Sequence, residues 1–159
     1  MRIGRRINSG RMLRTLAALA ILCMALPAAA APLVLVVHPS VPADTLQKLR
    51  ELAGEQPRGL TFANAGIGST AYRAAALFAD RAHLELTHVP YRNAGTALAA
   101  VVAGEAAAMF VPTQSAAAAI RGGKLRALAV TGRKRLAELP DVPPFSEAGL
   151  AGFDPVPVK

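Results

Sequence analysis

Leu33 to Val37 reads Leu-Val-Leu-Val-Val, an unbroken apolar and mostly β-branched run with no polar residue on either alternation. A strand of that composition needs cover on both faces, which is the situation inside a helix-flanked sheet and not in a one-sided antiparallel one. That requirement excludes most open all-β arrangements and asks the rest of the chain for helices.

The rest of the chain supplies them. Pro42 sits near a helix start and Asp44 falls in its first turn, with Leu46, Leu49 and Ala53 at helical spacing until Gly54 and Pro57 end the run. Leu60 to Ala63 reads as a strand, and from Ser69 the residues Ala71, Ala75, Phe78 and Ala82 line one helix face. Arg73 and Asp80 lie off that stripe, toward water. The alternation continues with strand Leu84 to Val89, helix Thr96 to Ala103, strand Ala106 to Val111, helix Gln114 to Arg121 and strand Leu125 to Thr131. Short links between alternating strands and helices predict an α/β fold, a mainly parallel sheet flanked by helices. The proline-rich stretch from Pro140 to Pro144 reads as surface loop, with one helical turn at Ser146 to Ala148 and an extended end beyond it.

The net charge of +8 over 159 residues suggests an anionic partner, but its distribution removes most of that support. Arg2, Arg5, Arg6, Arg11 and Arg14 precede an apolar run from Leu16 to Leu26 and the small residues Ala28 to Ala31. That is the layout of a secretory signal peptide over residues 1–30, and the run is short of the roughly 20 apolar residues of a spanning helix. Ile7-Asn8-Ser9-Gly10 after Arg5-Arg6 fits a twin-arginine signal poorly. Eighteen basic side chains less these five leave thirteen against ten acidic ones, a net of +3, and nucleic-acid binding is not expected. Cys23, the single cysteine, falls within the leader, so a mature chain has neither disulfide nor thiolate metal site. With only His38, His83 and His88 besides, no metal and no cofactor are expected.

Two strand-to-helix loops carry suggestive chemistry. The first, Asn64-Ala65-Gly66-Ile67-Gly68-Ser69-Thr70, has glycines that allow close backbone approach and hydroxyls at Ser69 and Thr70 beside free helix N–H groups. The second, Pro90-Tyr91-Arg92-Asn93-Ala94-Gly95-Thr96, has an aromatic ring, an amide and another helix start. In a parallel sheet both open at the carboxyl edge of the strands, where two positive helix ends would suit a carboxylate. The plainer reading stands beside this one: Ser69 and Thr70 as ordinary caps, Tyr91 packed on the sheet, Arg92 a solvated charge. The glycine spacing matches neither a phosphate loop nor a dinucleotide fingerprint.

An enzyme finds little footing here. Ser69 is not in a nucleophile elbow, no carboxylate lies in either loop, and His88 at a strand end has no evident partner. The basic group Arg121, Lys124, Arg126, Arg133, Lys134 and Arg135 has no interleaved aromatic residues and reads as a solvated helix end and loop.

The stretches LVLVVHPSVPADTLQKL, FANAGIGS, HVPYRNAGTALAAVVAGE and above all GGKLRALAVTGRKRLAELPDVPPFSEAGLAGF resemble the substrate-binding proteins of tripartite tricarboxylate transporters, the TctC or Bug family. The likeness runs from about Leu33 to Phe153. It implies a type II periplasmic binding protein fold of two lobes, a small di- or tricarboxylate held in the cleft, and presentation to membrane permease subunits. By resemblance, Gly66, Gly68, Ser69 and Thr70 form the second lobe's carboxylate site, completed by Tyr91, Asn93, Ala94 and Gly95. A periplasmic location agrees with the leader.

The departures from the family shape the expectation. No P-x-G-G-x-x-D loop of a first lobe is present, so residues 31–153 read as a single second lobe and 154–159 as a shortened tail. Thr70, Ala71 and Tyr72 stand where relatives often carry a proline-histidine sequence, and Ala76 stands where glutamate is common. A lone lobe leaves its ligand half wet, which points to binding near millimolar, about 4 kcal/mol. The alternatives are an interaction lobe completed by a partner chain, or a non-functional gene fragment.

Overall fold

The computed structural model describes residues 31–153; the leader at 1–30 and the tail at 154–159 lie outside the described residues. Five strands and four helices alternate: β1 (Leu33–Val37), α1 (Leu46–Glu55), β2 (Leu60–Asn64), α2 (Thr70–Ala82), β3 (Leu86–Pro90), α3 (Ala94–Val102), β4 (Ala108–Pro112), α4 (Thr113–Arg121) and β5 (Arg126–Val130). They form one sheet in the order β3-β2-β4-β1-β5.

The expected run at Leu33–Val37 is β1, buried along its whole length. Leu33, Leu35 and Val37 enter one core while Val34 and Val36 enter the other. The first core holds all five phenylalanines, with Phe145 and Phe153 ring centroids 4.3 Å apart and Phe62, Phe78 and Phe110 around them. The second is aliphatic, built from Met109, Val111 and Val130 against α3 and α4. The sheet therefore has helices on both faces.

Strand direction departs from the mainly parallel expectation. β2 pairs parallel with β3 and β4, whereas β1 pairs antiparallel with both β4 and β5. The sheet is mixed: four strands share a direction and β1 opposes them. An all-apolar strand satisfies two cores in either direction, so its composition is silent about polarity. The reversal puts the start of β1 beside the end of β4, with Leu33 opposite Pro112.

Caps moved several element ends. Thr45, not a residue near Pro42, caps α1 by accepting from the Lys48 amide, so Asp44 precedes the helix and pairs with Lys48 at 2.9 Å. Asn93 caps α3, so the helix starts at Ala94, two residues before Thr96. At the end of α2, His83 adopts the left-handed conformation (φ 53°) and Leu84 donates to Ala79 O at 2.9 Å, which delays β3 to Leu86.

The segment after β5 is more than surface loop. Val130 donates to Pro143 O at 3.0 Å and accepts from Phe145 N at 3.1 Å, so residues 143–145 pair along the outer edge of β5. Leu139 and Val142 pack on the aliphatic side, Phe145, Leu150 and Phe153 on the aromatic side. The expected turn at Ser146–Ala148 is present, with the Glu147 and Ala148 amides both donating to Pro144 O.

Candidate functional site

The carboxyl ends of β2, β3, β4 and β5, with the start of β1, meet at one sheet edge. Both candidate loops open there. They are joined by one bond, from the Tyr91 amide to Asn64 O at 2.8 Å.

In the first loop, Asn64 is buried and its Oδ1 accepts from the Gly66 amide at 2.9 Å. Gly66 (φ 99°) and Gly68 (φ 87°) then reverse the chain, a conformation that a side chain would strain. A Cβ at either would meet nothing within 4 Å, so conformation and not space selects glycine. Between them Ile67 is 90% exposed. Ser69 Oγ accepts from the Tyr72 amide at 3.2 Å, and Ser69 O accepts from Arg73. Thr70 is the first residue of α2 and is exposed.

In the second loop, Asn93 and Thr96 form a reciprocal capping box, with Thr96 N donating to Asn93 Oδ1 at 2.9 Å. Ala94 and Gly95 are exposed in the first turn of α3. Tyr91 is half-buried and packs on the aliphatic core. The side chains of Ser69 and Asn93 are thus engaged as caps. Among the described residues the backbone amides of Gly68, Thr70, Ala71 and Gly95 have no hydrogen-bond acceptor and stand beside the exposed Thr70 and Arg92 as donors for a ligand.

His88 lies on β3 and packs against α2. Its ring lies 4.6 Å from that of Tyr72, under the first turn of α2, and its buried Nδ1 has no hydrogen-bond partner. Burial pushes its pKa below the usual histidine value.

The fold adds elements to the edge that the two loops did not announce. α4 starts there as well, and its Thr113 amide donates to Pro32 O at 3.1 Å. Thr131, at the end of β5, donates to Leu33 O and accepts from Leu33 N, both at 2.8 Å. Asn64, Thr113 and Thr131 are the buried polar residues among those described, and all three sit at this edge. A signal for α4 was in the sequence, since Pro112-Thr113-Gln114-Ser115 repeats the pattern of a strand followed by hydroxyl and amide residues.

The six basic residues grouped in sequence are dispersed. Arg121 ends α4 and Lys124 lies between it and β5, at the opposite edge, and Arg126 donates to Val41 O and Ala43 O. Arg135 pairs with Glu147 at 3.0 Å. Arg133 and Lys134 remain exposed at the loop edge. A cavity of ≈ 540 Å³ lies elsewhere, between the start of α1 and the segment after β5, with Asp44, Arg135 and Asp141 in its wall. The rim of the two loops carries the exposed residues Ile67, Gly68, Thr70 and Arg92 to Gly95 and is the candidate site.

Comparison with known proteins agrees with this architecture. The sequence model described as the tripartite tricarboxylate transporter family receptor matches residues 14–158. A Pseudomonas protein encoded in a tcbD-tcbE intergenic region is 42% identical over 132 residues, 80% of this chain and 38% of its own length. The protein BugT of Bordetella pertussis is 33% identical over 122 residues, 77% of this chain and 37% of its own. Among solved structures, MatC of Rhodopseudomonas palustris with bound malate superposes with a TM-score of 0.75 at 31% identity, covering 78% of this chain and 42% of that one. An R. palustris protein with adipate gives 0.74 at 29% identity over the same shares. The periplasmic binding protein BugD gives 0.74 at 27%. The chain spans about two fifths of the length of these proteins. With a family match over nearly its whole length and a sheet that superposes on these binding proteins, the chain belongs to the TctC family of tripartite tricarboxylate transporter receptors.

Proposed function

We propose that this chain is a solute-binding lobe that holds one carboxylate of a small organic acid at the edge formed by residues 64–70 and 91–95. The observation that carries the reading is the Tyr91 N to Asn64 O bond, which sets two helix starts side by side with unspent amides at Gly68, Thr70, Ala71 and Gly95. Peptide N–H groups and two helix dipoles stabilise an anion without a lysine or arginine in contact. Relatives with bound malate and adipate support a dicarboxylate as the ligand, and the family supports a periplasmic location with a membrane permease as recipient. Malate or adipate at a hundred times its dissociation constant should raise unfolding stability by about 2.7 kcal/mol, read by thermal melting. The same titration should move the amide resonances of Gly68 and Gly95. No shift with either acid sinks the reading.

A second reading is that another chain covers this edge. Ile67, 90% exposed at the loop tip, favours it, because a large apolar side chain held out between two glycines suits burial by a partner. Co-purification lost on Ile67→Ser would support that reading.

A further inference from the structure

The sheet covers one of its two outer edges and leaves the other open. Along β5, Val130 donates to Pro143 O and accepts from Phe145 N, so residues 143–145 cover that edge. At the other end of the strand order β3 pairs with β2, and among the described residues no strand lies beyond it. β3 reads Leu-Thr-His-Val-Pro, with no charged side chain to discourage a further strand.

Alternation decides which backbone groups face outward. The Tyr91 amide donates to Asn64 O and the Glu85 carbonyl lies against Gly59, so the odd-numbered residues turn their backbone toward β2. Leu86, His88 and Pro90 therefore direct theirs to the open edge, with N–H donors at Leu86 and His88 and a carbonyl at each of the three. Proline stands where its lack of an N–H takes nothing from the pairing with β2.

We infer that this edge pairs with the β3 of a second copy of the chain, antiparallel about a two-fold axis at His88, joining two five-stranded sheets into one. Pairing over the full strand puts His88 opposite His88 and Leu86 opposite Pro90. Each His88 N–H then meets the other His88 carbonyl and each Leu86 N–H meets a Pro90 carbonyl, so every outward donor is used. At both ends of the ribbon exposed Glu85 falls one position from exposed Arg92 of the second copy, a charge complementarity the strand supplies to itself. The strand spans only about 17 Å, well short of a standard interface, so the dimer is weak and concentration-dependent.

The test is sedimentation velocity on the protein from about 10 to about 500 µM, with amide hydrogen exchange followed by NMR over the same range. A monomer is expected at the low end and a growing dimer fraction toward the high end. Exchange at Leu86 and His88 should slow about threefold or more with dimerisation, while Thr87 and Val89, already turned toward β2, stay unchanged. Glu85→Arg should weaken the dimer about fivefold, and Glu85→Arg combined with Arg92→Glu should restore it to within about twofold. A chain that stays monomeric throughout overturns the inference. So does a dimer in which Leu86 and His88 exchange as in the monomer, or one indifferent to Glu85→Arg. A dimer lost on Ile67→Ser but kept in the Glu85 variant assigns association to the loop tip and overturns it as well.

Discussion

The Tyr91 amide donates to the Asn64 carbonyl at 2.8 Å, while the Asn64 side chain accepts from Gly66 at 2.9 Å. One buried asparagine therefore fixes both the turn of the first loop and its distance from the second. Asn64→Ala would leave the half-buried Gly66 N–H without its partner, costing about 1 kcal/mol. Urea denaturation measures the loss, and faster hydrogen exchange at Gly66 would locate it.

Gly59 and Gly54 should respond oppositely to the same change. A Cβ on Gly59 (φ 64°) would stand 1.8 Å from Glu85 O and 2.6 Å from Glu85 C, where β2 and β3 converge. Backbone cannot yield that much, so Gly59→Ala should cost more than about 3 kcal/mol or abolish folding. Gly54 lies in α1 with nothing within 4 Å of a Cβ, and Gly54→Ala should stabilise by about 0.5–1 kcal/mol. A pair of melting curves decides both.

His83 holds a left-handed cap with a side chain that prefers not to be there. His83→Gly removes that strain and adds some unfolded-state freedom, for a net gain of about 0.5 kcal/mol. A melting temperature that falls instead would show that the imidazole makes a compensating contact.

His88 gives the fold an acid limit. Burial lowers its folded-state pKa below the ordinary histidine value of about 6.5, so the unfolded chain takes up the proton first. Its contribution to stability is complete above about pH 6.5 and declines as the pH falls through and below that value. His88→Gln should flatten this part of a stability-against-pH profile measured by urea midpoints. An identical slope in the variant would exclude His88 as the cause.

Local pattern carried much of the architecture. Leu33–Val37 was legible to the residue, because only a strand covered on both faces uses so unbroken an apolar run. The helix faces of α1 and α2 were legible through Leu46, Leu49, Phe78 and Ala82 for the same reason, a period matched to burial. Element ends were less so: Thr45, Asn93 and His83 are capping positions whose effect depends on one hydrogen bond each.

The sequence by itself determined that this chain folds as an α/β layer structure with glycine-bearing loops after its second and third strands, and it carried the family resemblance. Only the tertiary structure decided that β1 runs against its neighbours, that α4 and Arg133 join the two loops at one edge, and that Arg121 and Lys124 do not. The reason is physical. Periodicity and capping are set by residues within a few positions of one another, whereas strand order and direction are set by hydrogen bonds such as Leu33 to Thr131, 98 residues apart, which no local pattern records.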